Sequence, residues 1–305
     1  MQDSTNNRTA LVRMLIGAAI IGTNGLMVRL AGTPPTVSAF WRMLFAGAML
    51  VAFVLLARGW QRLPARAWAW ALVPAVAFAV DLWSWHRSIL IVGPGLSTLL
   101  ANAQVFFMAI AGVLFFGERL GPRFLGGLAL AFVGLWLLLG QGWSSLPAEY
   151  RWGVWLGLGT GVSYAVFNIG LRRAQAEAQR AGARAPVEQM LAIVSLGSAL
   201  LLGIAGAVEG DAFAIPNARA LLVLLTLAAF GHCLSWVLIS QAMRRLSVAV
   251  IGLLLLLQPI VAFLLDVWLF DRATSPREWL GLGVSLAGIF LASVKGRSRL
   301  PEQAT

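Results

Sequence analysis

The chain has one cysteine, Cys233, two histidines and only 11% charged residues in 305 positions. A lone thiol excludes an intramolecular disulfide and suits a packing role in the interior. One cysteine and two distant histidines, His86 and His232, offer neither metal-ligand spacing nor a nucleophile, base and acid arrangement. Gly157, Gly159 and Gly161 lie in an apolar run without the lysine or the preceding strand of a phosphate loop, which argues against nucleotide binding. With 59% hydrophobic residues and a mean hydropathy of +0.82, the composition excludes a soluble globular domain.

What is there in abundance is hydrocarbon, in stretches of the right length. A spanning helix needs roughly 20 mostly apolar residues. Such runs lie near 11–30, 36–57, 67–91, 94–117, 122–141, 152–171, 187–208, 217–243, 247–270 and 277–294. No small-residue cleavage pattern ends the first run, so it reads as a retained helix and not a signal peptide. The chain also repeats itself. Gln104, Phe116, Pro122, Arg123, Gly127 and Gly134 meet their own residue types 154 positions later, at Gln258, Phe270, Pro276, Arg277, Gly281 and Gly288. Five helices per half is an odd number, so the copies enter the bilayer from opposite sides, an inverted-repeat plan. The expected fold is an all-α integral membrane protein of ten transmembrane helices in two inverted five-helix repeats. The expected division is a first repeat over 1–141, a connector over 142–151, and a second repeat over 152–305 with a cytoplasmic tail. No separate soluble domain is expected; the polar stretch from Arg172 to Pro186 extends the sixth helix before Pro186 opens the seventh.

The net charge of +11 is explained by topology. With the N-terminus in the cytoplasm, sixteen of the 23 basic residues fall on that side, among them Arg8, Arg58, Arg62, Arg172, Arg173, Arg244 and Arg245, and Lys295. The opposite loops carry Arg151, Arg219, Arg272 and Arg277, while Arg29, Arg42 and Arg87 sit within or at the ends of apolar runs. Both termini are therefore expected in the cytoplasm, and the basic charge is expected to meet anionic headgroups of the bilayer and no nucleic acid.

Four short motifs stand in order. The first helix ends in Gly22-Thr23-Asn24-Gly25, followed by Arg29-Leu30-Ala31. The second holds Phe40-Trp41-Arg42-Met43-Leu44-Phe45-Ala46, the fourth ends in Phe116-Gly117-Glu118-Arg119, and the sixth carries Ser163-Tyr164-Ala165 before Arg172-Arg173. Together with the spans and the repeat, they resemble the ten-helix branch of the drug/metabolite transporter superfamily. The tryptophan-rich third helix is similar to that of bacterial exporters of aromatic and other neutral amino acids. The resemblance implies a multi-pass protein of the bacterial inner membrane that exports such amino acids by alternating access, with no cofactor and with function as a monomer possible. Two departures stand out: the second repeat reads Phe270-Asp271-Arg272 where the first has Gly117-Glu118-Arg119, and the first helix has no acid. The second departure disfavours proton-for-cation exchange at that helix and points mildly to uncoupled flux. A phosphorylated-sugar carrier of the same fold is the alternative within transport, with Arg29, Arg42 and Arg87 as its only candidate cations. An intramembrane lipid-modifying enzyme is the alternative from another class, for which no reactive constellation can be assembled.

Polar side chains in hydrocarbon cost several kcal/mol unless they face a cavity or a partner, which selects the candidate site. Asn24 and Thr23 are the polar residues of the first helix. In the third, Asp81 and Trp85 share a face with Ser88, whereas Trp83 and His86 lie on another. Asp81 either attracts a substrate ammonium or pairs with Arg87 or an indole N–H. His86 is a proton shuttle or a packing histidine. Trp83, Trp85 and Trp236 lie deeper than the interfacial belts and suit stacking on aromatic solutes, while Trp60, Trp68, Trp143, Trp152, Trp155 and Trp279 fit belt positions. Gln104 and Gln258 occupy matching places midway through the fourth and ninth helices, beside Pro259. Asn102 is expected about 200° around the helix from Gln104, so that at most one of the two faces the cavity. Tyr164 with Asn168 completes the lining from the other half, and Asp266 is expected at the mouth or in a structural role.

Overall fold

Prolines mark where the helices begin. The computed structural model describes residues 2–116, 121–139, 143–183, 186–243 and 254–293. Pro35, Pro94, Pro122 and Pro276 open α3 (Pro35–Ala57), α5 (Pro94–Ala101), α7 (Pro122–Leu139) and α13 (Pro276–Ser293). Pro64, Pro147 and Pro186 precede α4 (Ala65–Val92), α8 (Ala148–Arg180) and α9 (Val187–Glu209). In the first turn the missing N–H has no intrahelical partner to lose, and the fixed φ is already helical. The remaining helices are α1 (Gln2–Gly22), α2 (Asn24–Leu30), α6 (Gln104–Phe116), α10 (Ala218–Ala228), α11 (Ser235–Met243) and α12 (Leu257–Leu269). A π-helical turn, Ala229–Leu234, joins α10 to α11. Among the described residues there is no strand.

Among the described residues, seven helical stretches are long and apolar enough to cross a membrane: Arg8–Leu30, Pro35–Ala57, Ala65–Val92, Pro122–Leu139, Ala148–Arg180, Val187–Glu209 and Ala218–Ile239. Three of the ten expected runs differ. The run at 94–117 is divided by a turn at Asn102 and Ala103 into α5 and α6, neither of spanning length among the described residues. The run at 247–270 is helical as α12 from Leu257, after a turn at Leu256. The run at 277–294 is the 18-residue α13, with Arg277 and Glu278 in its first turn. Counted at the repeat spacing, Asn102 corresponds to Leu256, so both halves break the helix with a turn at the same place. Gln104 and Gln258 therefore stand in the first turns of α6 and α12 and not midway through helices, and Pro259 interrupts nothing there. Residues 244–253, the Gly117-Glu118-Arg119 motif, Gln141 and Gly142 of the connector, Arg184 and the stretch from Lys295 onward lie outside the described residues.

Large apolar side chains cover the periphery: Leu56, Val208 and Trp268 are 89%, 83% and 71% exposed. Such a surface is suited to lipid and not to water. Trp60, Trp68, Trp152, Trp155 and Trp279 are exposed at or near helix ends. The core lies between α3, α4, α8 and α9. There α4 packs along α8 and α9, α3 pairs with α9, α1 with α11, α5 with α12 and α7 with α13. The last pair approaches backbone to backbone. A Cβ on Gly127 would lie 2.5 Å from the Ala292 nitrogen, and one on Gly281 would lie 2.8 Å from the Gly134 oxygen. The seven-residue glycine spacing thus builds a close helix contact. As expected of the segment after Arg172, α8 continues to Arg180, where Glu177 pairs with Arg173 and Arg180 at 3.0 Å each. Cys233 packs with its thiol 3.6 Å from the Ala46 carbonyl oxygen.

Candidate functional site

A cavity with about 560 Å³ of empty space, its open mouth included, lies between the α1–α2 junction, α3, α4, the α5–α6 break, α8, α11 and the start of α12. Each lining group is carried there by a local feature. The turn at Thr23 ends α1 and starts α2 with Asn24, whose amide donates to the Gly231 carbonyl at 2.9 Å in the π-helical turn. The break after α5 redirects the chain, so that Asn102 and Gln104 both line the cavity. The expectation that only one faces it assumed an uninterrupted helix and is corrected by the turn. Gln104 is steadied by Asn168, whose amide donates to its side-chain oxygen at 3.4 Å.

Asn24, Asp81, Trp85, Asn102, Gln104, Tyr164, Trp236 and Gln258 line this one cavity. Trp83 and His86 do not. The 3.6-residue period turns Trp83 away from Asp81 and Trp85, and its indole N–H donates to Glu209 at 2.7 Å. His86 is fully buried against the edge of Trp85, ring centroids 5.7 Å apart, outside the lining. Two polar lining residues, Thr98 and Thr160, escaped the sequence reading of the site, and Arg42 entered it only as a candidate cation of the alternative carrier. Arg42 had a signal, since an arginine in the interior of an apolar run is costly without a purpose.

Five of the polar residues lining the cavity share an unusual property. Asn24 Oδ1, Arg42 Nε and Nη1, Asp81 Oδ1, Trp85 Nε1 and Thr98 Oγ1 are all buried without a hydrogen-bond partner. Buried polar atoms are nearly always paired, because an unpaired one costs about 1–3 kcal/mol. Here orphaned donors and acceptors face the same space. Arg42 and Asp81, 4% and 5% exposed, bring a guanidinium and a carboxyl group to it yet form no direct ion pair. The Arg42 guanidinium carbon is 5.6 Å from the centroid of Trp85.

The rest of the wall is aromatic. Phe78 stacks on Phe167 at 4.5 Å, Tyr164 stacks on Phe167 at 5.8 Å, and Trp236 stands edge-on to Phe167 at 5.7 Å. Phe78, Trp85, Tyr164 and Trp236 themselves line the cavity. The packing holds their rings in place, which lets them receive a flat apolar group without further ordering.

Two ionic clusters close the end of the bundle where α2, α4 and α9 finish and α3 and α5 start. Glu209 accepts hydrogen bonds from Arg87 Nη2 at 2.7 Å, Trp83 Nε1 at 2.7 Å and Thr36 Oγ1 at 2.5 Å. Arg87, one expected partner of Asp81, is thus committed to Glu209. The second cluster surrounds Asp266, which is 1% exposed and meets Arg29 and Arg272 at 3.4 Å each, with Arg272 also 3.2 Å from Glu278. Asp266 presses on the α4–α5 corner, where Gly93 has φ +89°. That conformation is open to glycine only, and a Cβ there would collide with the Asp266 carboxylate. Gly93→Ala is therefore expected to lower thermal stability by several degrees, about 2–3 kcal/mol, as read by unfolding of the detergent-solubilised protein.

An apolar helical bundle around a polar, aromatic-walled cavity describes a membrane transporter. Residues 8–140 and again 151–294 match the EamA-like transporter family, and the chain belongs to that family, within the drug/metabolite transporter superfamily. The uncharacterized transporter YwfM of Bacillus subtilis (strain 168) is 26% identical over 298 residues, covering 95% of this chain and 96% of that protein. A solved crystal structure superposes with a TM-score of 0.66 at 20% identity, over 96% of this chain and 100% of the other, a likeness of fold.

Proposed function

We propose that this transporter exports zwitterionic amino acids with apolar, chiefly aromatic, side chains across the bacterial inner membrane, without a coupling ion. The observation that carries this reading is the cavity's polarity: unpaired Arg42 and Asp81 of opposite charge, with Trp85 Nε1, Thr98 Oγ1 and Asn24 Oδ1, beside a wall of Phe78, Tyr164 and Trp236. In the proposed pose the substrate carboxylate accepts from Arg42 and Trp85, its ammonium donates to Asp81 and Asn24, and its side chain lies on the aromatic wall. Since the two protein charges sum to zero and the substrate is itself neutral, the loaded and empty sites carry the same net charge. A proton is then not needed to balance either crossing. A phosphorylated sugar fits less well, because Arg42 is offset by Asp81 while Arg29 and Arg87 are engaged by Asp266 and Glu209.

Alternating access between two inverted five-helix repeats, residues 1–141 and 152–305, is the proposed motion, with both termini in the cytoplasm and a monomer as the working unit. Support comes from the twofold family match and from the matching turns at Asn102 and Leu256. It comes too from helix pairings that map onto one another when the halves are exchanged: α4 with α8 corresponds to α11 with α1. The ionic clusters then form the closed outer gate. Counterflow of labelled tryptophan into liposomes, at two pH values, tests the function. Flux blocked by threonine, indifferent to pH and insensitive to a sugar phosphate or a lipophilic cation is the expected result; no tryptophan flux would overturn it.

The gate gives its own expectation. Glu209→Gln removes the charge that three donors share, so the outward-open population should rise about tenfold. An impermeant thiol reagent added from outside should then label Ala101→Cys, in a Cys233→Ser background, correspondingly faster. Equal labelling rates would remove Glu209 from the gate.

A further inference from the structure

We propose a second amino-acid site in series with the first: the recess where α3 ends, α9 starts and α11 passes, with about 630 Å³ of empty space including its open mouth, at the end that the charge distribution assigns to the cytoplasm. The inference rests on the zwitterion reading of the central cavity. Trp236 lines both spaces, so the two cavities abut at one indole. Behind it, ring contacts to Tyr164 and Phe167 at 6.3 and 5.7 Å tie that indole to the aromatic wall.

The recess repeats the chemistry of the cavity with different residues. Arg58 supplies one positive charge, Glu188 one negative charge and Gln241 an amide, around an apolar floor of Leu191, Val237 and Trp236. Among the described residues no ion pair joins Arg58 or Glu188 to another side chain, so both charges stay available to a ligand. The first turn of α9, whose leading N–H groups have no intrahelical partner, adds positive potential next to Arg58. An acid in a first helical turn is stabilised by that potential alone, which accounts for Glu188 but not for Arg58, Gln241 and a shared tryptophan around one hollow. A zwitterion fits, with its carboxylate toward Arg58 and the start of α9, its ammonium toward Glu188 and Gln241, and its side chain on Trp236. Arg58 and Gln241 are exposed, so hydration screens this site and makes it the weaker of the two. It would load substrate at cytoplasmic concentrations and pass it inward when Trp236 swings.

Equilibrium binding of labelled tryptophan to the purified full chain tests the proposal. Two molecules per chain are expected, one tight and one weaker. Arg58→Gln with Glu188→Gln should leave only the tight one, and Arg42→Leu only the weak one. Transport should agree, with the KM from the cytoplasmic side rising about fivefold in the Arg58 and Glu188 double variant, the scale of one hydrated ion contact, and the KM from the opposite side unchanged. One molecule per chain in the unmodified protein, lost in Arg42→Leu, would overturn the second site and leave the central one standing. No bound tryptophan at all would overturn both. A double variant that still binds two molecules, or whose KM rises equally from both sides, would remove the recess from the path.

Discussion

Arg42→Leu is expected to reduce tryptophan affinity at least about a hundredfold, because a bidentate charge-assisted contact to the carboxylate is worth about 3 kcal/mol or more. The same substitution should leave insertion intact and hold or raise the unfolding temperature. A buried guanidinium with two unpaired nitrogens weakens the empty protein, and leucine removes that cost. Few substitutions separate the two quantities in this way. A residue that merely packs the core would lower both together. Arg42→Lys keeps the charge but loses the planar fork, and should recover only part of the affinity. Asp81→Asn should likewise weaken binding, by withdrawing the counter-charge of the ammonium. Binding and thermal unfolding measured on the same preparations decide the matter: undiminished affinity in both the Arg42→Leu and Asp81→Asn variants would sink the proposed pose.

The second large effect lies far from the cavity, between α7 and α13. Gly127 and its neighbour Gly126 give a matched pair. A Cβ on Gly127 would meet the Ala292 nitrogen at 2.5 Å and the Gly288 oxygen at 2.6 Å, whereas one on Gly126 would find only Leu291 Cδ2 at 3.9 Å. Backbone atoms cannot step aside as a flexible side chain can, so Gly127→Ala must push the two helices apart. The expected cost is about 2–4 kcal/mol, at the upper end for single substitutions. Gly126→Ala should be neutral or stabilising by up to about 1 kcal/mol through helix propensity. Thermal unfolding of the two variants side by side provides the check. Equal effects would show that the helix contact is looser than the glycine spacing implies.

Much of the bundle was legible because length and apolarity alone identify a spanning helix. The exceptions are instructive. Nothing in Ala101-Asn102-Ala103-Gln104 announces a break, since none of these residues is a glycine or proline, and the turn there is a tertiary outcome. Helical-wheel arithmetic carried through it placed Asn102 and Gln104 on opposite sides. For Trp83 the same arithmetic was sound, and only its chemistry kept it among the candidates. The partner of Arg87 could not be found by spacing along α4, because Glu209 stands 122 residues away and is brought close by the α4–α9 packing. Arg42 was visible as a costly residue, yet only the shared cavity reveals that Asp81 faces it across open space.

The π-helical turn from Ala229 to Leu234 has a consequence for phase. A wide turn of this kind holds one residue more than the α-helix needs, which offsets everything after it by about 100°. Trp236 comes two residues later, and its place between the two hollows depends on that offset. Closing the turn to the ordinary pitch with every residue retained would swing the indole out of both, although no residue had been replaced, whereas deleting one residue within the turn would restore that pitch and leave the indole where it is. In this helix the pitch of one turn is as much a determinant of specificity as the identity of its residues.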